Sequence, residues 1–160
     1  MKRSALFVGL GGVGQRHLRN LRALWGDDAD VSAYRVRRES TELTDTLTTI
    51  ENGNVERSHS VRVFTELSAA LATKPQITIV ANPTSLHVPI VRAALEAGSD
   101  VFVEKPLSAD FQGVQQIVDD ARRLGRIGFV AYQLRFHPAV QTLLDFVASG
   151  ELGAIHGGHV

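Results

Sequence analysis

The chain contains 160 residues, 44% of them hydrophobic and 21% charged, and its 17 basic side chains balance 17 acidic ones. This composition is typical of a globular domain with a real core, and it excludes disordered, collagen-like and coiled-coil proteins. A net charge of zero argues against nucleic acid as the partner, and no apolar stretch is long enough to cross a membrane. The sequence lacks cysteine, which removes disulfides and thiolate sites and favours the cytoplasm, and we predict no metal site.

Short apolar segments alternate with segments of helical periodicity along the chain. The predicted strands span residues 5–10, 31–34, 61–64, 77–81, 101–104 and 127–132. The predicted helices span residues 13–25, 42–51, 67–72, 86–97, 109–124 and 139–148. In the first helix, Arg16, Arg19 and Arg22 lie opposite an apolar stripe and are expected to face solvent. In the fifth, Asp120 is expected on the polar face.

The strands read as solid apolar runs, and each is followed by a helix. Such strands are buried on both sides, which is the pattern of a parallel sheet with helices on both faces. Six of these units in 160 residues is the size of a doubly wound dinucleotide-binding (Rossmann) fold. We therefore predict an α/β protein with a doubly wound parallel sheet of about six strands.

A glycine-rich turn ends the first predicted strand. It has the pattern Gly-x-Gly-x-x-Gly, with Gly9, Gly11 and Gly14 at the fixed places and Gly12 and Val13 between the last two. The pattern alone is weak in a chain with 14 glycines, but here it opens a predicted helix, as a dinucleotide site requires. Backbone N–H groups and the positive end of the helix dipole then face a pyrophosphate. An ordinary strand–helix turn is the alternative that this context disfavours.

Arginines occupy the end of the second predicted strand. An NAD-selective site usually has an Asp or Glu there, bonded to the ribose 2′-hydroxyl. This chain has Arg35 and Arg37 instead, with no carboxylate before Glu39. The two guanidinium groups share one side of a continued strand and can flank a 2′-phosphate. A solvated surface run is the alternative, but the position and the missing acid favour NADP as cofactor, with NAD second.

Polar residues also follow the fourth and fifth predicted strands, at the sheet edge where ligands of open α/β sheets bind. Asn82 offers both a donor and an acceptor to a ligand. His87 lies in the first turn of the next helix and is a candidate ligand contact, with an ordinary packed or exposed helix residue as the alternative. Glu104 and Lys105 precede Pro106, and a cis bond before this proline is possible. Of three lysines, Lys105 alone ends a buried strand, where it can act on a substrate hydroxyl. An exposed ion pair is the alternative reading of Glu104 and Lys105.

Three segments occur in order at intervals that match a known family: residues 7–17, residues 82–87 and the Glu-Lys-Pro sequence at 104–106. Together they resemble the N-terminal domain of the glucose–fructose oxidoreductase, inositol dehydrogenase and rhizopine-catabolism (Gfo/Idh/MocA) family. The resemblance covers essentially the whole chain. It implies that the glycine turn binds NAD(P), that Asn82 and His87 lie in the cleft, and that Glu104 and Lys105 lie at the catalytic centre.

The segment at 132–138 also resembles the family's sequence after the sixth strand, which implies that Arg135 lines the cleft, with a structural salt bridge as the alternative. Two features depart from the family. Arginines replace the common acid after the second strand, and the Asp-x-x-x-His pair of the family's substrate domain has no match in the sequence. We expect residues 1–153 to form the dinucleotide-binding domain with its exit helix, and residues 154–160 to begin a second domain.

The sequence therefore predicts the NAD(P)-binding domain of an oxidoreductase. The expected reaction is hydride transfer between a nicotinamide cofactor, preferably NADP, and a sugar, cyclitol or related polyol. A non-catalytic dinucleotide-binding module is the alternative, and a methyltransferase is disfavoured because it has no role for the Glu-Lys-Pro segment. We expect the 160-residue chain alone to be inactive and the full-length protein to form a homo-oligomer.

Overall fold

The computed structural model describes residues 2–36 and 41–157. Its strands are β1 (Ser4–Val8), β2 (Asp30–Tyr34), β3 (Thr41–Leu43), β4 (Thr49–Asn54), β5 (Arg62–Phe64), β6 (Ile77–Val80), β7 (Asp100–Val103) and β8 (Gly128–Val130). Its α-helices are α1 (Gly12–Trp25), α2 (Val55–Ser58), α3 (Leu67–Leu71), α4 (His87–Glu96), α5 (Val114–Leu124) and α6 (Pro138–Ala148). Short 3₁₀ helices span Thr84–Leu86 and Gln133–Phe136.

The main sheet has six strands in the order β5-β2-β1-β6-β7-β8, and every neighbouring pair is parallel. This confirms the predicted doubly wound sheet. The chain runs outward from β1 in one direction to β5, then returns to the centre and runs in the other direction from β6 to β8. The strand order thus reverses between β1 and β6, and a ligand of such a sheet binds beside that point, at the carboxyl ends of the strands.

Residues of β1 alternate between two separate hydrophobic cores. Leu6 and Val8 pack on one face of the sheet with residues of α4 and α5, whereas Phe7 packs on the other with Leu18 of α1. All four of these side chains are almost completely buried. Burial of such a side chain contributes about 1.5–3 kcal/mol, so β1 is stabilised from both sides. The prediction of helices on both faces is therefore confirmed.

The predicted helix at 42–51 is wrong. β3 and β4 form an antiparallel hairpin instead, and the short helix α2 follows it. Threonine is β-branched and favours strands, and this segment is rich in threonine. In the hairpin turn, the Thr46 hydroxyl lies 3.0 Å from that of Thr44 and 3.3 Å from that of Thr48. These local bonds offer the backbone an alternative to a helix.

Arg22 does not face solvent as predicted. Its side chain is buried, and its guanidinium donates to five backbone carbonyls at 2.6–3.4 Å, those of Gly26, Asp27, Ala29, His59 and Ser60. Arg19 is also partly buried and donates to the Leu43 carbonyl at 3.0 Å, whereas Arg16 is exposed as predicted. A guanidinium carries five N–H donors, which suits it to collect unpaired carbonyls where α1 ends and two loops meet.

Asp120 is likewise buried rather than exposed on the polar face of α5. Its carboxylate accepts from Arg123 at 2.8 Å and from Arg92 of α4 at 3.3 Å. These two guanidiniums, Arg123 foremost, hold the pKa of Asp120 below its usual range. The ion pairs therefore join α5 to α4 on one side of the sheet.

The C-terminal end of the described chain is exposed. Helix α6 contains no buried residue, and residues 154–157 follow it without regular structure. The predicted second domain at 154–160 stays a prediction, since residues 158–160 lie outside the described ranges. Within those ranges, no helix is both long and apolar enough to cross a membrane.

Candidate dinucleotide site

The glycine turn joins β1 to α1 through two close backbone contacts. Gly9 has φ +95°, and a Cβ there would lie 2.9 Å from the Ala81 carbonyl oxygen. A Cβ at Gly14 would lie 2.2 Å from the Gly9 carbonyl oxygen. At Gly11, by contrast, a Cβ would meet no atom within 4 Å. Glycine at 9 and 14 is thus needed by the fold itself, whereas the space at Gly11 is open to a ligand.

A cavity of about 800 Å³ lies beside this turn. It is lined by residues from the carboxyl ends of β1, β2 and β6 and from α4, among them Gly9, Gly11, Arg35, Asn82 and Ile90. This is the place where the strand order reverses. Helix α1 begins at Gly12, and the unpaired N–H groups of such a helix N-terminus suit an anion.

Asn82 brings an unused acceptor to the cavity. Its side-chain Oδ1 is buried and has no hydrogen-bond partner among the described residues. A buried acceptor without a donor is costly, and a hydroxyl or amide donor of a bound ligand relieves that cost. The open backbone at Gly11 and this acceptor fit a dinucleotide, which offers a pyrophosphate, ribose hydroxyls and a carboxamide.

Arg35 lies on the cavity wall, as the prediction requires, but it is not alone there. It forms an ion pair with Glu56 of α2, and both side chains are largely buried. The sequence analysis missed Glu56 because it lies 21 residues after Arg35 in the chain. The fold of the intervening hairpin and of α2 brings the two side chains together. Arg37, the second predicted phosphate ligand, lies outside the described residues.

The structure corrects the prediction for His87. This side chain is only 1% exposed and does not line the cavity. Its Nε2 lies 2.9 Å from the Asn82 carbonyl oxygen, and its Nδ1 lies 3.0 Å from that of Pro106. His87 therefore lies between the loops after β6 and β7, and both of its ring nitrogens face backbone carbonyl oxygens, of which a neutral imidazole donates to one. Its polar atoms do not face the cavity.

Glu104 and Lys105 follow β7 at the same edge of the sheet. Lys105 is exposed, so its ammonium group is not desolvated in this chain, and the bond to Pro106 is cis. The Glu104 carboxylate contacts His17 of α1 at 2.6 Å. His17 was not a predicted site residue, although it lies in the segment that carries the family resemblance.

Arg135 is exposed in the 3₁₀ helix after β8 and does not line the cavity. Its predicted place in the cleft therefore stays a prediction. No salt bridge to it is present within the described ranges.

Gln15 is a third residue that the sequence analysis missed. It is almost fully buried in α1, and its Nε2 donates to the carbonyls of Leu10 and Thr41 at 3.0 and 2.9 Å. Its Oε1 accepts from the Leu43 N–H at 2.8 Å. The side chain thereby joins the glycine turn to the β3–β4 hairpin. No local pattern signals this role, because the hairpin itself was not predicted.

The hairpin tip lies directly over the start of α1. A Cβ at Gly12 would lie 2.8 Å from Cδ2 of Leu47, which is half exposed in the turn between β3 and β4. Arg19 of α1 pairs with Asp45 of the same turn at 2.7 Å. At the hairpin's base, burial lowers the pKa of His59, against the opposing effect of Glu42. The hairpin tip thus packs against α1.

A sequence model of an oxidoreductase family, described as an NAD-binding Rossmann fold (GFO_IDH_MocA), matches residues 3–132. The chain belongs to this family. It is 31% identical to an inositol 2-dehydrogenase of Corynebacterium glutamicum over 102 residues, which are 62% of this chain and 30% of that protein.

Two dehydrogenases of known structure share the fold. The WlbA dehydrogenase of Bordetella pertussis, in complex with NADH and UDP-GlcNAcA, superposes with a TM-score of 0.79 at 24% identity, over 96% of this chain and 42% of its own. Scyllo-inositol dehydrogenase of Lactobacillus casei, with bound NAD(H) and scyllo-inositol, superposes with a TM-score of 0.77 at 19% identity. The match covers 97% of this chain and 43% of that protein. The chain spans less than half the length of these three proteins.

Substitutions at Gly11 and Gly14 test the candidate site, because a Cβ has open space at Gly11 but clashes with backbone at Gly14. We expect Gly11→Ala to fold with unchanged or slightly higher stability, since position 11 has φ −71° and open space around it. The added methyl group stands where the pyrophosphate must approach, so NADPH affinity should fall at least about tenfold. Gly14→Ala should instead lower the free energy of unfolding by about 1–3 kcal/mol, because its Cβ meets backbone. Thermal unfolding and NADPH fluorescence titration measure both effects, and a Gly11→Ala variant that binds normally would contradict the site.

Proposed function

We propose that this chain is the dinucleotide-binding part of an oxidoreductase that moves a hydride between a nicotinamide cofactor and a sugar, cyclitol or related polyol. The observation that carries the proposal is the glycine turn beside the cavity at the point where strand order reverses. A bound dinucleotide supplies the hydride chemistry, and the protein supplies binding and orientation. The 31% identity to an inositol 2-dehydrogenase supports the substrate class.

The glycine turn, Asn82, Lys105 and Arg135 each have a part in this proposal. Gly9 and Gly14 shape the turn, and the backbone of Gly11, Gly12 and Val13 binds the pyrophosphate. Asn82 accepts a hydrogen bond from the cofactor through its unpartnered Oδ1. Lys105 positions the substrate hydroxyl and helps to remove its proton. Arg135 completes the cleft on the substrate side, and the complete protein forms a homo-oligomer.

We further propose that the site prefers NADP to NAD. Arg35 is on the cavity wall, and no carboxylate occurs from Tyr34 to Arg38. Glu56, however, pairs with Arg35, so a 2′-phosphate competes with this carboxylate for the guanidinium. The expected preference is therefore modest, and it depends on two residues that can be changed separately.

Changes at these two residues should move NADPH affinity in opposite directions. Arg35→Ala removes a charge-assisted bond to the 2′-phosphate and should weaken NADPH binding about tenfold, with NADH within about twofold. Glu56→Gln is the matched variant: it keeps the side-chain shape, removes the competing charge and should tighten NADPH more than NADH. Parallel fluorescence titrations of NADPH and NADH against the three proteins give the ratios.

Equal affinities of the unaltered protein for NADPH and NADH would remove the 2′-phosphate argument. An Arg35→Ala variant that loses both cofactors equally would also contradict it, since that result assigns Arg35 to the shared part of the dinucleotide.

We propose that the 160 residues alone bind the cofactor without turning over a polyol. The family resemblance assigns the second proton-transfer group to an Asp-x-x-x-His pair, and the sequence contains no such pair. The exposure of Lys105 favours the same conclusion, because an active lysine needs a shielded setting. In an assay with myo-inositol, scyllo-inositol or glucose and either oxidised cofactor, no reduced cofactor should accumulate. Robust turnover would overturn this part of the proposal, whereas binding without turnover also suits the non-catalytic module.

A further inference from the structure

Resting on the proposed function, we propose that His17 is a positioning residue for Lys105. It joins the helix that opens at the glycine turn to the loop that carries the lysine. Through this link, a pyrophosphate bound at the glycine turn restrains the position of Lys105.

The contacts form a continuous path from α1 to the lysine. His17 Nε2 lies 2.6 Å from Glu104 Oε1, and the backbone N–H of Lys105 donates to Glu104 Oε2 at 3.3 Å. Both carboxylate oxygens of Glu104 are therefore engaged within the chain. Glu104 acts in this arrangement as a positioning residue, which revises its predicted catalytic part.

The histidine ring is held in place by aromatic packing. Its centroid lies 5.0 Å from that of Phe102 in β7, in an edge-to-face geometry with an interplanar angle of 73°. Phe102 in turn stacks on Phe129 of β8 at 5.5 Å. The His17 and Glu104 side chains are 22% and 19% exposed, so their contact is less accessible to water than an ordinary surface pair.

The helix connects this pair to the cofactor site. His17 follows Gly12, the first residue of α1, by five residues, which places it about 7.5 Å along the helix axis from the proposed pyrophosphate position. A pyrophosphate bonded to the first N–H groups of α1 fixes the helix along its axis. His17 moves with the helix, and its bond to Glu104 passes that restraint to the backbone of Lys105.

The pairing also keeps Glu104 away from the lysine side chain. Glu104 and Lys105 are adjacent in sequence, and a carboxylate released from His17 is able to pair with the Lys105 ammonium group. A lysine paired in this way is less available to a substrate hydroxyl. His17 thus has two effects on Lys105, one on its backbone and one on its charge partner.

The three lysines of this chain allow a direct test. Reductive methylation with ¹³C-formaldehyde labels Lys2, Lys74 and Lys105 and keeps their charge, and a Lys105→Arg variant assigns the Lys105 signal. The probe is ADP-ribose, which carries the pyrophosphate but lacks the nicotinamide that approaches the lysine directly. In the unaltered protein, ADP-ribose should shift the Lys105 methyl signal.

Three variants separate the link from general stability. His17→Leu keeps apolar packing on Phe102 and should lose most of the shift, with ADP-ribose affinity within about threefold of the unaltered protein. His17→Gln restores an N–H donor toward Glu104 and should recover the shift. Arg16→Leu, on the exposed side of the same helix, should change neither quantity. Should His17→Leu fail to fold, Glu104→Gln tests the same link from the other side and should also reduce the shift.

The outcomes distinguish this inference from the proposed function. Failure of ADP-ribose to bind the unaltered protein contradicts the dinucleotide site itself. Binding without a Lys105 shift, or an undiminished shift in His17→Leu, overturns the role of His17 and leaves the dinucleotide site standing. Equal loss of the shift in His17→Leu and His17→Gln also overturns it, since the hydrogen bond is then not what matters.

Discussion

A Cβ at position 14 would lie 2.2 Å from the Gly9 carbonyl oxygen, so α1 approaches the end of β1 more closely than any side chain permits. This close approach determines where the helix begins and where its unpaired N–H groups point. It also places the open backbone at Gly11 at the edge of the cavity. The shape of the candidate site is therefore a consequence of how the strand and helix pack. Gly9 and Gly14 permit the close approach, and Gly11 leaves open space at the cavity.

Helix α1 then organises the surroundings through three of its polar side chains. Gln15 joins the turn to the β3–β4 hairpin, His17 reaches the loop after β7, and Arg22 collects carbonyls at the far end of the helix. Because each of these side chains is buried or half-buried, its bonds are shielded from water and restrict the loops that they contact. His87 of α4 likewise links two loops, those after β6 and β7. Two of these side chains contact residues that line the cavity: Gln15 donates to the Leu10 carbonyl, and His87 lies against the Asn82 carbonyl.

The parts of this structure that depend on residues close together in the sequence could be predicted from it. The six strands of the main sheet are apolar runs, and the glycine turn is read from the six residues 9–14. The missed parts depend on residues that meet only after folding. The pairing of Arg35 with Glu56, and of His17 with Glu104, spans 21 and 87 residues. Arg22 and Asp120 were misplaced for a related reason: charge argues for solvent, but their partners make burial favourable. The threonine-rich hairpin was missed because its apolar spacing also suits a helix.

The central claim is that the backbone at the start of α1 binds the pyrophosphate of a dinucleotide, and amide NMR tests it most directly. In ¹⁵N-labelled protein titrated with NADP⁺, the largest chemical-shift changes should fall on the N–H groups of Gly11, Gly12 and Val13 and on the Asn82 side chain. Smaller changes should extend along α1 and decline with distance from its first turn. Saturable binding with its largest changes elsewhere, or no change at the turn at ligand concentrations well above the physiological range, would contradict the account.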